Sequence, residues 1–329
     1  MAGELVVVDN TILSDVALCH TRGALKHVLG LTARAEAVEL RAGQAVHAAL
    51  ARLLYAGKTT SVSVGAALDV FDRHYREWVK GVQLPDDRYA WQHLRAVLAL
   101  WMKRHPIERW PFVVEKGDIE VAVRLPLPGV EGVEFVGLID ALVRKKTGGG
   151  WWVLDHKTAK RLDAWWRSHQ EVSSQFTGYS WGAEETRGIH VSGAVVNGVG
   201  IPKVYTSSAI CRDHKVAYRE CGLQHAEAEY KWVSRGPQEV AAWLMTAQRV
   251  TREYLRLRKR VESIDDIRTV AMQGRFKYGA CGNCFAKAWC AQGRPVKRVK
   301  AVFKVDRWDP IAHAGLAPMG VPAKRELRA

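Results

Sequence analysis

Residues 133–158 read VEFVGLIDALVRKKTGGGWWVLDHKT, and this stretch decides the fold. Two apolar runs flank KKTGGG at 145–150, a composition that ends one strand, reverses the chain and starts another, so the stretch reads as a β-hairpin. On a strand, residues two apart share a face, so Asp155 and Lys157 project together while His156 points away. The turn can set Asp140, in GLIDAL, alongside Asp155. Two carboxylates and an ammonium among apolar strand residues are expensive to keep without a purpose. Hard oxygen ligands suit Mg²⁺ or Mn²⁺, and a lysine beside them can orient or deprotonate an attacking water. An edge hairpin with a solvated, salt-bridged face has the same composition, and spacing alone leaves both readings open.

Working outward, FVVE and DIEVAVRL precede the hairpin as further strands, and SGAVVNGVGI follows it as another. Helical patterns flank them: 14–56, with Ser14 and Thr32 as N-caps and Gly30 and Gly57 as stops; about 64–105; about 163–186; and 237 to about 262. The helix around 35–54 places Gly43 and His47 on one face, and SSQFTGYSWG does the same for Gln175 and Tyr179. Either pair alone is as easily a packing feature as a site.

The chain has 329 residues, with 49 Lys plus Arg against 34 Asp plus Glu, a net charge of +15. That excess favours a polyanionic partner, most often nucleic acid. Residues 294–329 carry nine of the basic residues against three acidic ones and show little helical periodicity, so they read as a basic C-terminal extension or arm. No apolar run approaches the roughly 18 residues of a membrane span, so no membrane role is expected. MAGELVVVDN has no basic start and carries Glu4 and Asp9, so no signal peptide is expected and a cytoplasmic location is. Without a secretory signal, the six cysteines read as metal ligands or bystanders before disulfides. Three fall within CGNCFAKAWC at 281–290, spaced Cys281-x2-Cys284-x5-Cys290, and a gap of 261 residues separates Cys19 from that group.

Taken in order, Gly43-x3-His47, Gly137-x2-Asp140, Asp155-x-Lys157-Thr158 and Gln175-x3-Tyr179 resemble the RecB-like group of the PD-(D/E)XK nucleases. Cys19 in LSDVALCHTRGAL, with Cys281, Cys284 and Cys290, is similar to the iron–sulfur-bearing branch. CRISPR-associated RecB-like exonucleases, AddB-type nuclease domains and related phage proteins represent that branch. The resemblance spans about residues 10–293. Two positions depart from it: His20 stands where Pro often follows the first cysteine, and His156 where an aromatic or apolar residue is common.

The resemblance implies an α/β, restriction-endonuclease-like fold. A central mixed sheet would be flanked by helices, with a helical subdomain at about 58–110. A cysteine-ligated cluster would join the N- and C-terminal segments within a nuclease domain of 1–293. It implies two divalent ions, Mg²⁺ or Mn²⁺, held by His47, Asp140, Asp155 and the carbonyl of His156. Lys157 would position the water, and Gln175 and Tyr179 would orient the scissile strand or support Lys157. Cys19, Cys281, Cys284 and Cys290 would hold a 4Fe-4S cluster; thiolate chemistry alone leaves Zn²⁺ open.

The function implied is a DNA exonuclease acting on ends or single strands in recombination, repair or phage DNA processing. A homo-oligomer and a helicase or recombination partner are compatible with it. The alternative is a nuclease-fold DNA-binding subunit with a structural metal and little catalysis. Two further motifs are set aside. Gly57-Lys58-Thr59 resembles the end of a P-loop, but Arg52 stands where the first Gly is required. Cys211-x2-His214 and Cys221-x3-His225 resemble a zinc site, yet the text between them lacks a ββα or ribbon pattern.

Overall fold

The computed structural model describes residues 5–35, 37–277 and 279–316, with the backbone alone for Tyr218. Among the described residues, eight strands run in chain order: β1 Val6–Val8, β2 Leu31–Ala33, β3 Phe112–Pro126, β4 Val133–Lys145, β5 Trp151–Ala159, β6 Val191–Gly200, β7 Ala228–Ser234 and β8 Phe303–Val305. The helices are α1 Asn10–Leu18, α2 His20–Gly23, α3 Val38–Ala56, α4 Ser61–Val79, α5 Trp91–Arg104, α6 Ala164–Glu171, α7 Ser174–Arg187, α8 Tyr218–Cys221, α9 Pro237–Arg260, α10 Lys287–Ala291, α11 Val299–Val302 and α12 Pro310–His313. The main sheet has the order β1-β4-β5-β6-β7, with β3 also on β4. It is mixed: β1–β4 and β5–β6 are parallel, while β4–β5 and β6–β7 are antiparallel. This is the α/β architecture that the resemblance implies, a central mixed sheet with flanking helices.

The chain divides into two compact units, one of residues 1–35, 122–138 and 237–329, the other of 36–121 and 139–236. In the second unit, α3 buries Val38, Ala42, Ala45, Val46, Ala49, Leu50, Leu53 and Leu54 along one stripe, as the 3.6-residue period requires. Gly57 ends it with φ +72°, its N–H on the carbonyl of Leu54 at 2.9 Å. Thr60 and Ser63 cap α4 reciprocally. α4 and α5, anticipated as a helical subdomain, share one apolar core with α3 and with Leu154, Val195 and Val199 of the sheet. At Gly193 in β6, φ is +140° and a Cβ would lie 2.1 Å from the carbonyl oxygen of Val233, so only glycine fits.

In the first unit, α1 is capped by Asp9, whose Oδ1 accepts from the Ile12 N–H at 2.7 Å, and not by Ser14, which lies inside the helix. Gly30 does end the helical stretch, at φ +66°. Thr32 caps nothing: it sits in β2, which pairs antiparallel with β8. The stretch from Arg294, with its arm-like periodicity, therefore contains β8, α11 and α12 up to Leu316, and Trp308 Nε1 donates to Asp9 Oδ2 at 2.8 Å. Residues 317–329 lie outside the described residues. No helix among the described residues is long and apolar enough to cross a membrane.

Candidate active site and cysteine sites

The β4–β5 ladder runs from Arg144 opposite Trp151 to Ala141 opposite Leu154. Asp140 and Asp155 are the next residue on each strand, where the pairing stops. There the His156 N–H turns to Asp140 Oδ2 at 2.7 Å instead of to a neighbouring carbonyl. His47 reaches the same carboxylate from α3, with Nδ1 3.2 Å from Oδ1 and 3.1 Å from Oδ2. Gly43, one turn earlier on α3, faces Thr158 of β5; a Cβ there would lie 3.4 Å from Thr158 Oγ1, in ordinary contact. Thus Asp140, Asp155, His47, His156 and Lys157 all meet within the second unit.

Lys157 Nζ lies 2.8 Å from Asp155 Oδ2 as an ion pair, off the line of a hydrogen bond, and donates to Gln175 Oε1 at 3.0 Å. Gln175 and half-buried Tyr179 are one turn apart on α7, which packs against β5 and β6. His156 is buried; Asn197 Nδ2 lies 2.9 Å from its Nδ1, and its ring meets Trp110 edge-on. The departure from an apolar residue is thereby accommodated with a polar partner and an aromatic neighbour.

The electrostatics split the two carboxylates. Burial pushes Asp155 up, against the pull of Lys157, and nearby Asp140 adds to the rise. Burial would raise Asp140 too, but His47 and the His156 N–H hold it well below the usual carboxylate range. Burial alone would lower His47; Asp140 outweighs it and raises the imidazole. Burial pushes His156 down to about 4, a neutral ring at ordinary pH. The buried Asp155 carboxylate beside the Asp140 carboxylate and the His47 imidazole is a donor set that fits a hard divalent cation.

The four cysteines of the second motif lie in the first unit and line one largely apolar cavity of about 740 Å³. Cys19 stands at the α1–α2 junction. The Thr21 N–H donates to the carbonyl of Ala271 at 3.1 Å and the His20 N–H to Gln273 Oε1 at 2.9 Å, which straps 271–273 beside it. A proline at position 20 lacks that N–H, so the departure at His20 carries a bond of its own. A Cβ on Gly274 would sit 3.5 Å from the Cys19 sulfur and 3.7 Å from that of Cys281. Burial, then Cys284 and Cys19, push the Cys290 thiol up to about 11. Four cysteine sulfurs around one largely apolar cavity are a donor set that fits a thiophilic metal group, which would take them as thiolates.

Among the described residues, Cys211, His214, Cys221 and His225 bring their ligand atoms within 4.8 Å of one another. The two spacings, with no ββα or ribbon pattern between them, nevertheless come together as a group that could hold a metal ion. The C-x2-H and C-x3-H spacings were the available signal. What joins them is a single antiparallel bridge, Ile210–Ala217, and one turn of α8, too short to leave any periodicity.

Against known proteins, the family model of the PD-(D/E)XK nuclease superfamily matches residues 11–291. No curated protein matches the chain. The chain belongs to the PD-(D/E)XK nuclease superfamily, and with it to enzymes that are generally metal-dependent and act on DNA.

Proposed function

We propose that this chain is a Mg²⁺- or Mn²⁺-dependent DNA exonuclease of the iron–sulfur-bearing RecB-like branch, acting on ends or single strands. The observation that carries the reading is the convergence of Asp140, Asp155 and Lys157 where β4 and β5 part. Asp140, Asp155, His47 and the carbonyl of His156 would hold the divalent ions. When bound, such ions activate water and stabilise charge on the leaving oxygen of the phosphodiester. Lys157, tethered between Asp155 and Gln175, orients the attacking water and offers positive charge to the reacting phosphate. Gln175 Oε1 accepts from the ammonium and fixes its direction, and Tyr179 supports the same α7 face. Cys19, Cys281, Cys284 and Cys290 would hold a 4Fe-4S cluster that ties 19–23 to 271–290. A cubane takes each thiolate on a separate iron, which suits thiols spread around a cavity better than a single Zn²⁺ does.

A groove of about 800 Å³ leads from Lys157 past Lys160, Arg161 and Lys203. Trp165, 74% exposed, stacks on His169 in its wall, with the rings 5.4 Å apart. Cations that track a backbone beside an exposed aromatic plane suit unpaired bases. The test compares linear single strands, circular single strands and blunt duplex, each with Mg²⁺ and with Mn²⁺. The reading expects linear strands to be degraded and circles to survive. Cleavage of circles makes the enzyme an endonuclease, and no cleavage with either metal returns it to a DNA-binding subunit.

A further inference from the structure

Residues 201–227 link β6 to β7 with one isolated bridge, the turn of α8 and one 3₁₀ turn. A connection this long with so little regular structure needs something to hold it. Hydrophobic burial holds only its two ends, at Ile201, Pro202 and Ala226. Of the described side chains from 203 to 225, the buried ones are Cys211, Ala217, Cys221 and Gly222, while Ile210 and Val204 are exposed. The segment has thiols where a core would be.

We propose that Cys211, His214, Cys221 and His225 bind one structural Zn²⁺ that organises this segment. The distances carry the assignment. Cys211 Sγ lies 3.6 Å from His214 Nδ1 and 3.6 Å from His225 Nε2, and Cys221 Sγ lies 3.4 Å from His225 Nε2. A tetrahedral ion with ordinary zinc–sulfur and zinc–nitrogen bonds sets sulfur and nitrogen about 3.6 Å apart. Hydrogen bonding explains the set less well: each thiol has one weak proton, and a single nitrogen of His225 faces both sulfurs.

The local backbone is shaped for the purpose. The N–H of Cys211 donates to the carbonyl of Val216 at 2.8 Å and that of Lys215 to the carbonyl of Cys211 at 2.9 Å. Lys215 takes φ +58°, which folds His214 back onto Cys211. α8 then delivers Cys221, and the 3₁₀ turn over 222–225 returns His225 to it. Two thiolates and two imidazoles select Zn²⁺ over Mg²⁺ or Mn²⁺, and four protein ligands leave no open position, so the ion is structural. Lys203, Tyr205 and His225 also line the groove beside Lys157, so the ion fixes one groove wall; that consequence alone rests on the function proposed above.

The test uses the full chain from zinc-supplemented cells, with zinc and iron counted per chain in wild type, Cys211→Ser, Cys221→Ser and Cys281→Ser. About one zinc is expected in wild type and Cys281→Ser, with at least a tenfold loss in the other two. Cobalt(II) loaded into the wild-type chain reads the ligand set even where a serine variant fails to fold. Intense tetrahedral visible bands with sulfur-to-cobalt charge transfer are expected. Chelation should also open trypsin cleavage at Lys203, Arg212, Lys215 or Arg219. Wild type without zinc, zinc retained by Cys221→Ser, or a weak octahedral cobalt spectrum overturns the assignment.

Discussion

The carboxylate site and the thiol cavity are built by opposite means. Asp140 and Asp155 sit at the end of a strand ladder, so their positions follow from register. Cys19, Cys281, Cys284 and Cys290 come from a helix junction, two turns and the short helix α10, gathered across most of the chain by backbone straps. A site on a ladder can lose a side chain and keep its frame. A site made of loops has no such frame, so a metal group bound there would couple its binding to folding.

The largest effect expected follows from the first half of that contrast. Asp155→Ala should lower the single-turnover cleavage rate by at least ~100-fold, while thermal melting and DNA affinity stay near wild type. A variant that also unfolds makes the hairpin as frame-dependent as the thiol cavity and erases the difference. Cys281→Ala, by contrast, should lose the broad visible absorption of an iron–sulfur protein and much of its stability, whereas Cys211→Ala should keep its iron. Colourless wild-type protein with zinc in the four-cysteine site overturns the cluster.

The first unit has a second staple, and it titrates. Asp15, nearly buried, lies 2.5 Å from Arg22, 3.0 Å from Lys26 and 2.9 Å from His27. Burial raises its carboxyl, but His27, Lys26 and Arg22 overcome that and hold it well below the usual range. A depressed carboxylate stabilises the fold above its unfolded pKa of about 3.9, and the gain disappears as pH falls toward the folded value. Asp15→Asn should therefore cost ~3–5 kcal/mol at neutral pH and flatten the acid limb of a stability–pH curve. An unchanged acid limb means that another carboxylate governs it. The smallest effect belongs to the groove: Trp165→Ala should weaken single-strand binding by ~1–3 kcal/mol with duplex binding unchanged. Equal losses on both substrates mean that the indole does not stack on bases.

How much was legible in the sequence follows the same divide. The hairpin could be read because its information is local: period-two alternation, KKTGGG, and carboxylates whose register the turn fixes. Gly57 and Gly30 could be read as stops because their positive φ is a backbone demand that glycine meets. Thr32 could not be read as a strand residue, since its partner Lys304 lies far along the chain and three-residue strands carry no pattern. Ser14 has the side chain of a cap but lies inside α1, which begins at Asn10, and Asp9 caps it. The Cys211 group was missed because its scaffold is a bridge and a turn, while its ligand spacings were visible throughout.

If Asp140, Asp155 and Lys157 form the reacting centre, Lys157 is the residue whose loss shows it most directly. Lys157 touches Asp155 and Gln175 but is not among the groups assigned to hold the ions. Single-turnover cleavage of a linear strand, measured beside metal and DNA affinity, should show Lys157→Ala slowed by at least ~100-fold with both affinities largely kept. Cleavage by Lys157→Ala at the wild-type rate would put the active site elsewhere in the chain.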